Sequence, residues 1–178
     1  MRRALITGGE GDIAQAIKKK LKGWEVDTPS SKELDVTSWY DVMEWFRTKD
    51  YDLVINNAGV IYSDNVEGSN VWDWIKTIKV NLIGTYLISR FALKNKDVTI
   101  INIASTAGVK GRAGWSSYCA SKAGVISLTQ SLKKEGVDAH CIILSRTNTK
   151  MRRKLFPDED KSTLKTPQDV AKEIIKLL

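Results

Sequence analysis

Short apolar runs of strand length alternate with longer segments of helical periodicity along this chain. Such alternation is typical of a parallel β-sheet that has helices packed on its faces. The predicted strands are residues 3–7, 24–28, 52–56, 98–103 and 139–144, with a vestigial strand at 34–36. The sequence therefore predicts an α/β fold with a doubly wound parallel sheet.

The segments between these strands have the periodicity of helices. Ile13, Ile17 and Leu21 recur every four residues, which predicts an amphipathic helix after the first strand. Longer helices are predicted at residues 72–95, with a break near Asn81, and at residues 116–134; a final helix starts at Thr166, which suits an N-cap. Residues 147–165 lack periodicity and are expected to be mobile.

The bulk composition bounds the class of protein. The 178 residues, 42% of them hydrophobic, fit one domain spanning residues 1–178. No apolar run approaches the roughly 20 residues that span a bilayer, and the start MRRALITGG lacks the apolar segment of a signal peptide. Cys119 and Cys141 are spaced neither as metal ligands nor as a redox pair, which predicts free thiols and no metal site. We therefore expect a cytoplasmic protein without a membrane segment.

The formal net charge of +7 comes from basic residues that are spread along the chain in short groups. Two interpretations stay open, namely solvated helix faces or the attraction of an anionic cofactor or substrate. Nucleic acid is not an expected partner, because the basic residues are scattered and no recognition motif is present.

The stretch TGGEGDIA, residues 7–14, joins the first predicted strand to the first helix. A helix that starts right after a glycine turn directs its free N–H groups and its positive dipole end towards an anionic phosphate. The stretch reads G-x-G-x-x-A from Gly9, and from Thr7 it reads T-G-x-x-x-G-x-G with Asp12 and Ala14 in place of glycines. A purely structural turn is the alternative to a pyrophosphate site.

Further polar residues are predicted at the same edge of the sheet. NNAG, residues 56–59, follows the third strand, and Ser105 ends the strand TIINIAS. Tyr118 and Lys122 in YCASK lie one helical turn apart, so the ammonium is expected to lower the pKa of the phenol towards the working pH. Each feature also has an ordinary interpretation, as an Asn/Gly turn or a surface pair.

Together these motifs resemble the short-chain dehydrogenase/reductase family over nearly the whole chain. The following features stand in that family's order: the glycine turn, Asp35-Val36, NNAG, Asn81 in KVNLIG, Ser105 in NIASTAG and YCASK. Asn81 lies 22 residues after Gly59, and Tyr118 lies 13 after Ser105, as in the family's compact single-domain branch. The resemblance implies a Rossmann-like doubly wound parallel sheet of about six strands in the order 3-2-1-4-5-6, without the family's seventh strand.

The resemblance implies catalytic roles for four residues. Tyr118 would protonate a carbonyl oxygen during reduction, or act as the base in oxidation, while Lys122 would lower its pKa and bind the nicotinamide ribose. Ser105 would donate a hydrogen bond to the substrate oxygen. Asn81 would hold a water that links Lys122 to solvent. The alternative interpretation is that Asn81 caps or kinks its own helix.

The resemblance also implies a nicotinamide cofactor along the sheet edge. The implied cofactor-binding residues are Thr7, Gly8, Gly9, Asp12, Ile13, Ser30, Lys32, Asp35, Val36, Asn57, Ala58, Gly59, Tyr118, Lys122, Thr147 and Thr149. Among them, Asp35 could instead simply cap the next turn. A carboxylate at Asp12 would repel phosphate unless it points away and caps its own helix start, which we predict.

NADP(H) is the preferred prediction for the cofactor, with NAD(H) left open. NAD-preferring relatives place an acidic residue at the end of the second strand. That position falls on Ser30, followed by Ser31 and Lys32, and Lys32 could meet a 2′-phosphate. Asp27, three residues earlier, could still reach the ribose and reverse the preference.

The chain departs from the family pattern after the second and the last strands. Leu144 and Ser145 replace a Pro-Gly pair, and the following Arg146 could meet an acidic substrate. Only six residues, 29–34, separate the second strand from Asp35, so the resemblance predicts that the helix normally found there is missing and that the adenine pocket is more open.

A homodimer is the predicted assembly. The sequence ends at Leu178, where relatives continue into a seventh strand that builds one of two tetramer interfaces. The other interface uses the helices around residues 81–95 and 116–134, both of which are predicted here.

The leading functional hypothesis is an oxidoreductase that transfers a hydride between the nicotinamide cofactor and a small-molecule carbonyl or alcohol. Trp115 and Tyr62 favour an apolar or aromatic substrate contact, while Lys110, Arg112 and Arg146 favour tolerance of an anionic group. The alternative is a catalytically silent NAD(P)-binding sensor or scaffold, against which the retained acid–base set argues.

Overall fold

A five-stranded parallel sheet lies at the centre of the computed structural model, which describes residues 1–178. Its strands are β1 (Arg3–Ile6), β2 (Glu25–Asp27), β3 (Leu53–Asn56), β4 (Thr99–Ser105) and β5 (Ala139–Leu144). They are arranged in the order β2-β1-β3-β4-β5, and every neighbouring pair is parallel. The carboxyl ends of all five strands therefore meet at one edge of the sheet.

The sheet confirms the predicted α/β class and corrects the strand count from about six to five. The expected vestigial strand at residues 34–36 is not formed. Instead, the N–H groups of Glu33 and Leu34 donate to the Ser30 carbonyl oxygen, so this backbone is used in a turn rather than in a β-ladder. Leu34 and Val36 still contribute their side chains to the core. The observed order is the predicted one without its outermost strand.

The chain also forms seven α-helices. They are α1 (Asp12–Lys20), α2 (Trp39–Arg47), α3 (Val71–Ile78), α4 (Gly84–Ala92), α5 (Ser116–Lys134), α6 (Lys150–Leu155) and α7 (Pro167–Ile175). A π-helical segment, Lys79–Ile83, joins α3 to α4 and contains Asn81, which confirms the break predicted there. None of the helices combines the length and apolar character needed to cross a membrane.

The pleat of the strands explains why helices pack on both faces. Successive residues of a strand point to opposite sides. Ala4 and Ile6 accordingly lie in a core covered by α1 and α7, whereas Leu5 lies in a core covered by α2, α4 and the end of α5. The predicted start of α7 is confirmed, because Thr166 and Asp169 form a capping box.

Residues 147–165, expected to be mobile, are ordered by polar contacts. Thr147 and Lys165 form an isolated parallel bridge, and α6 lies between them. The Arg152 guanidinium donates two hydrogen bonds of 2.7 Å to the Glu159 carboxylate, which closes the loop after α6. Hydrophobic periodicity does not reveal this segment, because its packed apolar residues, such as Leu164 and Phe156, are too few to form a periodic face.

Candidate active site

A cavity of about 890 Å³ runs along the carboxyl edge of the sheet. Pockets of roughly 300–1,000 Å³ are typical of ligand sites in proteins. The wall is built by the glycine turn, the loops after β2, β3 and β4, the segment from β5 into α6, and parts of α3 and α5. Because each of these loops leaves a different strand, the sheet order itself brings them together.

The glycine turn is fastened to the loop after β3 by a buried threonine. The Thr7 hydroxyl oxygen accepts hydrogen bonds from the N–H groups of Asn57 and Ala58, both 3.1 Å long. Gly8 has a φ of +66°, and a Cβ there would lie 2.9 Å from the Ala58 Cα. A Cβ at Gly9 would lie 2.1 Å from the Thr28 carbonyl oxygen. Glycines are therefore required for these close backbone approaches.

The first helix presents free N–H groups at its start. Its N-cap is Gly11, and no side chain caps the first turn. The helix therefore offers backbone donors and a positive dipole end to an anion.

Asp12 does not cap this helix, so that prediction is wrong. Its Oδ2 atom accepts a hydrogen bond of 2.5 Å from the Lys150 N–H and lies 3.4 Å from an Arg153 guanidinium nitrogen. These donors belong to α6, a helix that the sequence analysis did not recognise. The ion pair with Arg153 offsets the negative charge of the carboxylate.

Lys122 and Tyr118 lie on one face of α5. The buried Lys122 ammonium donates a hydrogen bond of 2.8 Å to the Ile103 carbonyl oxygen of β4. Its Nζ atom lies 5.8 Å from the centre of the Tyr118 ring. Burial lowers the pKa of Lys122 to about 8, because the ammonium loses its hydration.

The Tyr118 phenol is held in its protonated form. Burial raises its pKa above the ordinary value, and a hydrogen bond with Ser105 opposes this rise. The expected lowering of this pKa by Lys122 is therefore wrong for this structure, because desolvation of the phenolate dominates. The Ser105 hydroxyl also accepts a hydrogen bond of 3.2 Å from the Ala107 N–H.

Asn81 is fully buried and fastens the π-helical segment to the loop after β3. Its side-chain amide donates to the Val60 carbonyl oxygen at 2.9 Å and to the Ser121 hydroxyl at 3.0 Å. Its Oδ1 accepts from the Val60 N–H at 2.8 Å. These bonds place the loop beside Lys122, since a Cβ at Gly59 would lie 3.8 Å from the ammonium. The role of Asn81 in holding a water stays a prediction.

Most predicted site residues line the cavity, and four do not. Those in the wall are Gly8, Asp12, Ile13, Ser30, Asp35, Val36, Asn57, Ala58, Gly59, Ser105, Tyr118, Lys122, Thr147 and Thr149. Those outside the wall are Thr7, Gly9, Lys32 and Asn81. Within the wall, the Asp35 carboxylate accepts from the backbone N–H and hydroxyl of Thr37, and the Thr149 hydroxyl caps α6.

The sequence does not predict that α3 lines the cavity, and it predicts residues 147–156 as a wall loop without the helix α6. The face of α3 contributes Ile75 and Lys76, and α6 contributes Met151 and Leu155. Apolar periodicity marks a buried helix face without distinguishing a core from a cavity wall, so α3 carried no separate signal. The six-residue helix α6 is too short to show a period at all.

Asp27 is held away from the cavity, which it does not line. Its carboxylate accepts a hydrogen bond of 2.5 Å from the Tyr51 hydroxyl and lies 3.6 Å from the Lys49 ammonium. A second cation, Arg3, lies 3.8 Å away. Asp27 therefore does not lie at the cavity, where it would have to be to contact a cofactor ribose.

Comparison with known proteins finds a matching family model and several similar reductases. A family model described as short chain dehydrogenase matches residues 5–160. The 3-oxoacyl-(acyl-carrier-protein) reductase FabG of Aquifex aeolicus is 30% identical over 140 residues, 74% of this chain and 56% of the relative. A 3-oxoacyl-(acyl-carrier-protein) reductase of Synechocystis sp. is 40% identical over 88 residues, 47% of this chain and 36% of the relative. FabG of Rickettsia felis is 28% identical over a 208-residue alignment, 96% of this chain and 86% of the relative. The chain thus spans about half or less of the first two relatives and most of the third.

Solved structures share the fold. The aldohexose dehydrogenase of Thermoplasma acidophilum in ligand-free form superimposes with a TM-score of 0.86 at 22% identity, over 99% of this chain and 86% of that chain. The structure described as ElxO with NADP bound superimposes with a TM-score of 0.83 at 24% identity, over 99% of this chain and 90% of that chain. At these identities, the likeness establishes a common architecture.

Replacing the buried ammonium is expected to stabilise the fold. The free energy of unfolding of Lys122→Met at pH 7 should exceed that of the original protein, since a fall in pKa from 10.5 to about 8 corresponds to a cost on the order of 3 kcal/mol. The folded protein binds fewer protons than the unfolded chain between these two pKa values. The stability of the original protein should therefore rise with pH across this window, and that of the variant should lack this rise.

Urea unfolding at pH 7 and at several higher pH values measures both effects. Lys134→Met is the matched control, because Lys134 lies exposed on the same helix. A Lys122→Met protein less stable than the original at pH 7, with the control unchanged, would show that the ammonium stabilises the fold instead.

Proposed function

This chain belongs to the short-chain dehydrogenase family, and we propose that it is an NADP(H)-dependent oxidoreductase that interconverts a small-molecule carbonyl compound and its alcohol. One observation carries the proposal: Ser105, Tyr118 and Lys122 line the same cavity as the glycine turn at the uncapped start of α1. A silent sensor or scaffold has no need for a desolvated ammonium beside a protonated phenol, both of which are costly to bury.

The cavity fits a dinucleotide in size and in its donor groups. The free N–H groups of α1 suit a pyrophosphate, and the absence of side chains at Gly8 and Gly11 leaves room for it. Ser30, Asp35 and Val36 line one part of the wall, while Thr147 and Thr149 line another. When bound, the nicotinamide supplies the hydride of the reaction.

NADP(H) is favoured over NAD(H) by the charges at the end of β2. Asp27 is engaged by Tyr51 and Lys49, so it is not available to the ribose hydroxyls. Glu33, in the turn after β2, does not line the cavity and accepts hydrogen bonds from the N–H and hydroxyl of Ser30. Lys32 adds a positive charge in the same turn.

Tyr118 is the proposed proton donor. Burial raises its pKa, so the phenol carries its proton at neutral pH. As negative charge grows on the carbonyl oxygen, the phenol transfers its proton to that oxygen and becomes a phenolate. The Lys122 ammonium stabilises the phenolate, and the Ser105 hydroxyl donates a hydrogen bond to the same substrate oxygen.

We propose a chemical class for the substrate rather than one compound. The cavity wall combines Trp115 and Ile75 with hydroxyl and basic groups, which suits a small carbonyl compound with an apolar part. Relatives described as 3-oxoacyl-(acyl-carrier-protein) reductases make a 3-oxoacyl thioester one member of a useful test panel.

Tyr118→Phe should abolish turnover without preventing cofactor binding. Loss of the phenol removes the proton donor, so NADPH oxidation with a reducible aldehyde should fall at least about 100-fold. The dissociation constant for NADPH, followed by nicotinamide fluorescence, should change little, and the original protein should bind NADPH more tightly than NADH. Tyr40→Phe, at an exposed position on α2, is the control and should retain full activity.

Three outcomes would overturn these assignments. Equal turnover in Tyr118→Phe refutes the role of the phenol. Failure of both cofactors to bind at high micromolar concentration refutes the enzyme proposal. Tighter binding of NADH would instead assign the cofactor preference to NAD(H).

A homodimer is the proposed assembly, formed through the helices around residues 81–95 and 116–134. Ile83 and Tyr86 support it, because they expose 41% and 49% of their surface on this side of the molecule. An exposed apolar patch of this kind is typical of an interface.

Ile83→Glu should therefore shift the protein from dimer to monomer, since a carboxylate would be buried in the contact. Light scattering after size exclusion measures the mass. Val66→Glu, at an exposed loop position, is the control. A monomeric or tetrameric original protein would contradict the proposal.

A cytoplasmic location also stays a prediction. The free thiols of Cys119 and Cys141 support it, and cell fractionation tests it.

A further inference from the structure

A second, smaller cavity of about 320 Å³ adjoins the active-site cavity. We call it the basic annex, and its six lining residues are Thr106, Arg112, Ser145, Arg146, Thr163 and Lys165. Four of them, Thr106, Arg112, Ser145 and Arg146, also line the larger cavity. The annex is therefore an extension of the active site rather than a separate surface depression.

The annex is lined by cations and hydroxyls, without a carboxylate or an apolar residue. Arg112 makes no ion pair in the structure, and its guanidinium lies over the Trp115 ring at 5.3 Å. Arg146 lies 3.4 Å from Glu159, but that carboxylate makes its shorter bonds, of 2.7 Å, with Arg152.

The third cation of the annex, Lys165, is paired with Glu173 at 2.6 Å. Neither Glu173 nor Glu159 lines the annex, so its positive charge is only partly compensated. Two guanidinium groups, one of them unpaired, thus face a space that offers hydroxyl donors as well.

The backbone fixes the annex in place. Ser105 of β4 and Leu144 of β5 are paired in the sheet, so the residues that follow them, Thr106 and Ser145, enter the annex side by side. The Lys165 N–H donates to the Arg146 carbonyl oxygen at 3.1 Å. A site whose groups are positioned before the ligand arrives loses little entropy on binding.

The annex begins next to the reacting groups. Thr106 directly follows Ser105 in the chain, and Arg112 stacks on Trp115. The Trp115 ring in turn meets the Tyr118 ring edge-to-face, with centroids 5.8 Å apart. A group bound in the annex would therefore hold the neighbouring part of the same small molecule at Ser105 and Tyr118.

We propose that the basic annex binds an oxyanionic group of the substrate, a carboxylate or a phosphate monoester, and so selects anionic carbonyl compounds. This inference rests on the proposed function of the adjoining cavity. A planar guanidinium group can donate two parallel hydrogen bonds to two oxygens of a carboxylate or a phosphate, and charge-assisted hydrogen bonds are stronger than neutral ones. Leu144 and Ser145 stand where the family pattern has Pro-Gly, and Arg146 follows them. The chain therefore departs from the family pattern at the residues that line the annex, Ser145 and Arg146.

The kinetic test compares substrates that differ only in charge. With NADPH, kcat/KM for 4-formylbenzoate should exceed that for its methyl ester by about 10- to 100-fold. 4-Formylphenyl phosphate forms the second anionic arm, and whichever of the two anions is preferred identifies the group that the annex takes. Arg112→Gln and Arg146→Gln should each lower the ratio of kcat/KM for the anionic aldehydes to kcat/KM for the ester by about 10-fold. Arg90→Gln, exposed on α4, is the control with the same change of charge.

A binding test separates failure of the annex from failure of the enzyme proposal. The affinities of 4-(hydroxymethyl)benzoate, 4-(hydroxymethyl)phenyl phosphate and the methyl ester of the benzoate are measured by ligand-observed NMR, which needs no turnover. Tighter binding of either anion, weakened in Arg112→Gln or Arg146→Gln, supports the annex even if no aldehyde is reduced. Equal affinities for the anions and the ester, or anion binding that neither variant weakens, would overturn the inference. Circular dichroism of both variants confirms that they are folded.

Discussion

The buried hydrogen bond from the Lys122 ammonium to the Ile103 carbonyl oxygen is the contact on which the site depends. It ties α5 to β4 at the carboxyl edge of the sheet. Ser105 lies two residues further along β4, and Tyr118 lies one turn earlier on α5, so this one bond sets the spacing of both. Gly108 completes the contact, because a Cβ there would lie 2.5 Å from the backbone of Lys122. The proposed reacting groups are thus positioned by a strand and a helix rather than by flexible loops.

A lysine whose ammonium is buried without a carboxylate partner is unfavourable for stability alone. The ammonium loses most of its hydration and regains one backbone acceptor. Natural chains violate local rules of this kind mainly at functional sites. The same reasoning applies to the fully buried Asn81, whose amide is committed to the Val60 backbone and to Ser121. Both residues place polar groups where packing alone would favour apolar ones.

Much of the fold was predictable because two local signals agree with the tertiary structure. Apolar runs marked all five strands, and the helix predicted at residues 116–134 coincides with α5. The π-helical segment at Asn81 was foreseeable as a break, since KVNLIG interrupts a long helical period. Motif order also predicted that Ser105, Tyr118 and Lys122 lie at one site, and they line the same cavity, because parallel strands bring their carboxyl ends to one edge.

The errors share a physical cause, namely long-range polar contacts that no short window of sequence contains. Asp12 bonds to Lys150, 138 residues away, and this contact replaces the expected cap. The Thr147–Lys165 bridge also joins residues that are distant in the chain, and α6 lies between them. This segment has no apolar periodicity, so a short window of sequence does not predict its structure. The pKa of Tyr118 was misjudged because burial, which depends on the whole fold, outweighs the neighbouring cation.

The central claim is that this cavity delivers a hydride to a carbonyl carbon. The most direct measurement is a single turnover of a reducible aldehyde with NADPH deuterated at both C4 positions, in ordinary water, with mass analysis of the alcohol. We expect the alcohol to gain one deuterium at its carbinol carbon, because the hydride moves directly and the oxygen takes its proton from Tyr118. An alcohol without deuterium, or oxidation of NADPH without formation of alcohol, would contradict the claim.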